Sequence, residues 1–293
     1  TNIDLRAQRV DGNSNLLWPG GTAGVPVCSA ADYQGSNDQW IIYPGYSRTS
    51  AYLATDGTGG AFIVWMDWRN GGSSGAKVYG QRIRDNGTTA WAVDGIQLTS
   101  KTLPLSPWGI ISSGNNTAIF TYCNYDADWS DSKVWVSKID SSGAGLWGPN
   151  GKQVTNNTSS AVWEVYPDIA GDGAGGAVLA YYADFPYTPY GQRIDSTGNV
   201  AAGWLPGGTQ LGSGTNDNLL FERPRVHHDG SGGLKAVWVA PDNWQAYGNW
   251  PWSYNTRYNC ISGQGVRQEL PPGNTLMKFQ YGSERPVITK EGA

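Results

Sequence analysis

The chain has 293 residues, 41 glycines, 16 prolines and only 15% charged residues, a composition suited to many tight turns and no long solvated helix. A net charge of −4 offers no basic field, which argues against a duplex nucleic-acid binder that works by neutralising phosphates. No apolar run approaches the roughly 18 residues of a membrane helix. The three cysteines (Cys28, Cys123, Cys260) form no CxxC pair and read as small buried hydrophobes.

In chain order, residues 6–28 first read as two strands, carrying Arg6-Ala7-Gln8-Arg9-Val10 and then Trp18 ahead of Val25 to Cys28. A fuller unit follows. A strand opens at Ala51 and turns at Asp56-Gly57-Thr58-Gly59-Gly60. It returns through Ala61-Phe62-Ile63-Val64-Trp65, and a third strand carries Tyr79-Gly80-Gln81-Arg82-Ile83. The turn Asp85-Asn86-Gly87 and Trp91 close it. The unit recurs with turns at Ser112, Asp172 and Asp229, first strands opening at Pro107, Pro167 and Pro224, and second strands ending at Tyr122, Tyr181 and Trp238. Proline is tolerated where a strand needs no ladder donor, and Asp-Gly is a strong hairpin signal. Nearly continuous apolar second strands fit burial on both faces. Third strands recur at Trp135 to Ile139, Tyr190 to Ile194 and Tyr254 to Tyr258, which aligns Arg9, Arg82, Lys138, Arg193 and Arg257 as a repeated cation. A charge kept in every unit serves the fold, as a salt bridge or a stacked guanidinium. Residues 285–291 read as one more first strand.

A strand-and-turn repeat of nearly sixty residues predicts an all-β fold, a β-propeller of four-stranded blades, about five in number, in one domain over 1–293. The blades fall at about 51–100, 107–156, 167–213 and 224–275, with a split blade from 1–28 plus 285–293. Pairing of the N- and C-terminal strands closes such a ring and removes its edges. That blade lacks a second strand, so the alternative is a piece of a longer array. Residue 1 is Thr and no leader is visible, which reads as a processed or truncated chain.

The string Asp-Gly-x-Gly-Gly-Ala, then Trp-x-Asp, then Tyr-x-Gln-Arg-Ile-Asp, then Gly, Trp and Gly resembles a propeller-like repeat of large exported bacterial proteins of unknown function. Asp56 to Gly95 and Asp172 to Gly208 carry it best; the second and fourth units keep the spacing and lose several of the residues. The resemblance implies an exported module, secreted or at the cell surface, often one part of a larger chain or assembly, and no specific activity.

In a propeller the second-to-third-strand turns and the blade connectors share one face. Here they are the long, irregular segments, and loops on a rigid scaffold are where function concentrates. They are rich in aromatics: Trp244, Tyr247, Trp250 and Trp252 in one run, with Trp129 and Trp68 elsewhere. Flat rings with a polar handle suit sugar faces or a protein partner, although the same rings can simply fill the loop layer. Asp126, Asp128 and Asp131 cluster as weak calcium candidates without the glycine and distal Glu of an EF-hand loop. Loop aspartates also cap their own turns. His227 and His228 are adjacent and point to opposite faces of a strand, so they make no metal pair.

These features predict an extracellular binding or assembly module, its ligand a glycan or protein, with no catalytic residue assigned and no cofactor. The alternatives are a carbohydrate-active hydrolase or lyase with carboxylates at the channel mouth, and a structural subunit of an extracellular assembly.

Overall fold

The structure is a computed structural model, which describes residues 4–31, 34, 51–69, 75–101, 105–125, 132–155, 165–183, 188–212, 223–241, 254–268 and 274–279. The fold is all-β, of propeller-type four-stranded antiparallel blades. The one helical piece among the described residues is a single 3-10 turn at Gly21–Ala23. A two-stranded sheet pairs β1 (Leu5–Ala7) with β2 (Val25–Cys28). The first full blade orders β3 (Ala51–Thr55), β4 (Ala61–Asp67), β5 (Lys77–Ile83) and β6 (Ile96–Gln97). The second orders β7 (Leu105–Ser112), β8 (Ala118–Tyr125), β9 (Ser132–Ile139) and β10 (Lys152–Gln153). The third holds β11 (Val165–Gly171), β12 (Ala177–Ala183), β13 (Thr188–Ile194) and β14 (Thr209–Gln210). The fourth holds β15 (Arg225–His228), β16 (Leu234–Pro241), β17 (Tyr254–Ile261) and β18 (Asn274–Phe279).

The chain divides into two compact units, residues 1–128 with 136–152, and residues 129–135 with 153–293. In the first unit β3 packs on β7, and in the second β11 packs on β15, so first strand faces first strand from one blade to the next.

The second strands build the core. Every residue of β4 and of β12 is buried, and the aromatics Trp65, Tyr122, Tyr181 and Trp238 are fully inaccessible. Trp65 faces Ala51, which opens its first strand, and Tyr122 faces Pro107. Such rings have water on neither side, which is why these strands carry no polar alternation.

Two details depart from the sequence reading. The fourth strands of the first three blades are two-residue pieces, and Trp91, Trp147 and Trp204 lie in the turns ahead of them. The aligned cation of the fourth blade is not Arg257. Trp238 pairs with Arg257 as Trp65 pairs with Tyr79, and the Ile83–Thr89 bridge corresponds to Ile261–Arg267. Cys260 therefore stands where Arg82 stands, and Asn259 where Gln81 stands. The Tyr-x-x-Arg match at Tyr254 lies three residues out of register, because that strand runs longer on its loop side.

Candidate functional site

Four repeated side chains, Asp, Arg, Gln and Trp, hold the short-turn face together. Asp56 accepts hydrogen bonds at Oδ1 from the amides of Thr58 and Gly60, at 2.8 Å each, and at Oδ2 from Nε and Nη2 of Arg82 at 3.1 and 2.8 Å. Asp172 takes the same bonds from Ala174, Gly176 and Arg193. Burial works to raise the Asp56 pKa, but the bonds from Thr58, Arg82 and Gly60 outweigh it and hold the carboxyl below its ordinary value. The third-to-fourth turns repeat the device without the arginine, through Asp140 and Asp195.

Gln81 takes the amides of Arg82 and Trp91 on Oε1 and gives Nε2 to the Ala92 carbonyl; Gln8 does the same with Arg9 and Trp18. The arginines and tryptophans then reach the following blade. Arg9 Nη1 donates to the Gly59 carbonyl and Arg193 Nη1 to that of Gly232. Trp18, Trp91 and Trp204 donate Nε1 to the carbonyls of Asp85, Ser141 and Gly263. All of these groups serve the fold.

On the loop side of the first full blade, Asp67 ends β4 fully buried. It accepts Trp65 Nε1 at 2.7 Å and a bidentate Arg69 at 2.8 and 2.7 Å. Arg69 lies over the Tyr79 ring, 4.1 Å from its centroid, and donates to the Asp94 carbonyl and to Cys28 Sγ. Burial pushes the Cys28 thiol up, which disfavours a reactive thiolate. Asp67 is thus locked in place. The lock fixes the backbone beneath Trp68, the half-buried ring proposed from the sequence. Trp68 Nε1 is buried without an acceptor among the described residues. Trp244, Tyr247, Trp250, Trp252 and Trp129 lie outside the described residues, as do the calcium candidates Asp126, Asp128 and Asp131. Among the described residues no group of three His, Cys, Asp or Glu could hold a metal ion.

The first strands carry a position the sequence reading passed over. The residue preceding each core aromatic on the second strand (Val64, Thr121, Ala180, Val237) faces Tyr52, Gly109, Asp168 and Arg225. In the second blade the register shifts between Pro107 and Gly109, and Trp108 is the extra residue. Tyr52, Trp108, Asp168 and Arg225 are all partly exposed, while their strand neighbours Pro107, Pro167, Pro224 and Val226 are buried. The fold thus keeps the position and varies its chemistry from blade to blade. The sequence signal was the changing column directly after the strand-opening proline or alanine.

Within the second unit this position is charged. Asp168 Oδ1 stands 3.7 Å from Arg223 Nη2 and 3.7 Å from Arg225 Nη1, and Oδ2 accepts the Val226 amide at 3.0 Å. β11 breaks register between Val165 and Asp168, and Tyr166 sits there at φ 57°, a left-handed conformation that a bulky side chain adopts only under constraint. Bulges of this kind re-aim side chains and gather near functional sites. Tyr166, Asp168, Arg223 and Arg225 together offer a ring, a carboxylate and two planar donors on adjoining first strands.

No family model matches the chain, and no curated protein matches it in sequence. Among solved structures it is similar to a GH43 endo-arabinanase from Bacillus licheniformis, at 16% identity over 78% of this chain and 79% of that one, TM-score 0.41. It is also similar to a Bacillus subtilis levansucrase variant, at 8% identity over 79% and 72%, TM-score 0.40. An endo-arabinase from Bacteroides thetaiotaomicron VPI-5482 aligns at 13% identity over 80% and 82%, TM-score 0.39. No helix among the described residues is long and apolar enough to cross a membrane.

Proposed function

We propose that the protein is an extracellular or cell-surface module that recognises carbohydrate. The observation that carries this reading is the partly exposed Asp168–Arg225–Arg223 group, raised on a strained bulge beside Tyr166. A carboxylate and a guanidinium side by side accept from and donate to neighbouring hydroxyls, and an aromatic ring offers an apolar face to the C–H side of a sugar. The turn aspartates do not compete for this role, since their oxygens are spent on backbone amides and arginines. Trp68, on its locked backbone, is a second contact of the same kind.

The second reading is a carbohydrate-active hydrolase, favoured by Asp168 as a partly exposed carboxylate on a first strand. It gives Asp168 the part of nucleophile or base and needs a separate proton donor. One experiment serves both. The full chain is screened on a glycan array, and the best binders and their polysaccharides are then incubated with the wild type and with Asp168→Asn. Binding without reducing-end release, lost in Asp168→Asn, is the expected result. Reducing-end release that stops in Asp168→Asn moves the assignment to the hydrolase. No glycan bound and no polysaccharide cleaved overturns both.

A further inference from the structure

We propose that His228 is a proton-operated latch between the third and fourth blades: neutral, it holds the glycine-rich turn 229–233 by the Gly232 amide; protonated, it releases that amide and turns to Asp229. The turn-closing bonds Asp56–Gly60, Ser113–Thr117, Asp172–Gly176 and Asp229–Gly233 align the residues just ahead of them, Thr55, Ser112, Gly171 and His228. Of these four turns, only that of the fourth blade is preceded by a side chain whose charge changes between about pH 5 and 8.

The first observation is the direction of a hydrogen bond. The Gly232 amide donates to His228 Nε2 at 3.1 Å. A ring nitrogen that accepts carries no proton, so the bond exists only with a neutral imidazole whose proton is on Nδ1. A proton added to Nε2 sets two N–H groups against each other, and the bond is lost. Gly232 is also where the third blade takes hold. Arg193 Nη1 donates to its carbonyl at 3.0 Å, and a Cβ at this residue, whose φ is 92°, would lie 2.7 Å from that nitrogen. On the third blade's turn, a Cβ at Gly173 would lie 3.6 Å from His228 Cε1 and 3.7 Å from Nδ1. The ring thus sits between the two turns and shares Gly232 with Arg193.

The second is a missing counter-charge. Asp56 and Asp172 are each answered by an arginine of their own blade. In the fourth blade Cys260 stands at that place. Among the described residues Asp229 takes the amides of Ser231 and Gly233 and the Ser231 hydroxyl, and no guanidinium. His228 Nε2 lies 3.9 Å from Asp229 Oδ1, with the two side chains 15% and 16% exposed, so solvent protons reach the pair. The other charges nearby do not compete. Asp172 and Arg193 of the third blade are paired with each other. Lys235 of β16 stands opposite His227, which puts it on the other face of the sheet from His228. A protonated ring therefore meets Asp229. One contact replaces the other, so the latch is read at the turn and not in the melting temperature.

The full chain, labelled with nitrogen-15, is followed by NMR from about pH 8 to about pH 5. At the alkaline end His228 Nε2 should resonate as the unprotonated ring nitrogen and Nδ1 as the protonated one. As the pH falls, the Gly232 amide shift should follow the titration of the His228 ring, and its hydrogen-exchange protection should drop about tenfold or more. His228→Gln, which keeps a neutral acceptor, should remove this pH dependence. Asp229→Asn should move the ring's transition to lower pH, because the charged ring loses its counter-charge. A protonated Nε2 at the alkaline end, or a Gly232 amide that ignores the ring's titration, overturns the proposal, and both are read on the unsubstituted chain. A transition at the wild-type pH in folded Asp229→Asn overturns it as well.

Discussion

The third strands and the first strands of these blades are built on the same scaffold and are used differently. On the third strand, Arg82 and Arg193 are tied by the same two nitrogens to a buried aspartate, and each reaches the next blade, Arg82 at the Asn116 side chain and Arg193 at the Gly232 carbonyl. On the first strand the equivalent residues are Tyr52, Asp168 and Arg225, with Trp108 bulged out in the second blade. A side chain that repeats answers a demand every blade makes, which is a demand of the fold. A side chain that changes while its backbone position persists answers something outside the repeat.

The contrast can be broken most forcefully in the core beneath both strands. Trp65→Ala removes a fully buried ring between packed sheets and is expected to cost about 3–5 kcal/mol in urea unfolding. A loss below about 1 kcal/mol would mean the ring bears little of the packing. Next comes the repeated cation. Arg82→Ala leaves the fully buried Asp56 carboxylate with two amides and the Thr58 hydroxyl but no cation, and about 2–3 kcal/mol of stability should go with it.

A sharper comparison sets Trp65 against Trp238. Both rings are inaccessible, but Trp65 donates to Asp67, whereas the counterpart of Asp67 in the fourth blade is Ala240, and Trp238 Nε1 has no partner among the described residues. Trp65→Phe should therefore cost about 1–2 kcal/mol more than Trp238→Phe, since only the first strips a donor from a buried carboxylate. Equal losses would show that the indole hydrogen bond adds nothing.

The smallest effects belong to the variable position and to acid. Asp168→Asn keeps an acceptor for the Val226 amide and loosens ion pairs of 3.7 Å, so its stability should stay within about 0.5 kcal/mol of the wild type while glycan binding falls. On the pH axis, Asp56, Asp140, Asp195 and Asp229 all titrate below their ordinary value in the folded chain. A depressed folded pKa contributes stability that is present above the unfolded value, about 4, and is lost as pH falls through the folded one. The melting temperature should hold from pH 7 to about 5 and decline below about 4, with a shallower decline in Asp140→Asn.

How far the sequence could be read follows from the same division. The blades, the Asp-Gly turns and the four core aromatics were legible because recurrence exposes them without any neighbour being known. The structural role of Arg82 was legible for that reason too. The cation of the fourth blade was misplaced because Arg257 offered a local match, and only strand register shows that Cys260 takes the place. Trp68 was legible as a loop ring, but the lock beneath it sets Arg69, held by Asp67, over Tyr79 ten residues on, across a loop. Asp168 escaped because its meaning depends on Arg223 and Arg225, more than fifty positions away, and on a bulge that no composition signals.

The indole bonds of Trp18, Trp91 and Trp204 all run the same way, from one blade's last turn to the equivalent turn of the blade after it. At these three junctions one turn gives and the next receives, like the ends of a head-to-tail polymer. Copying a blade within the gene creates a junction that already fits, and deleting one brings together two sides that already match. None of these three junctions depends on how many blades precede or follow it, so a blade gained or lost at one of them needs no new hydrogen-bond partner.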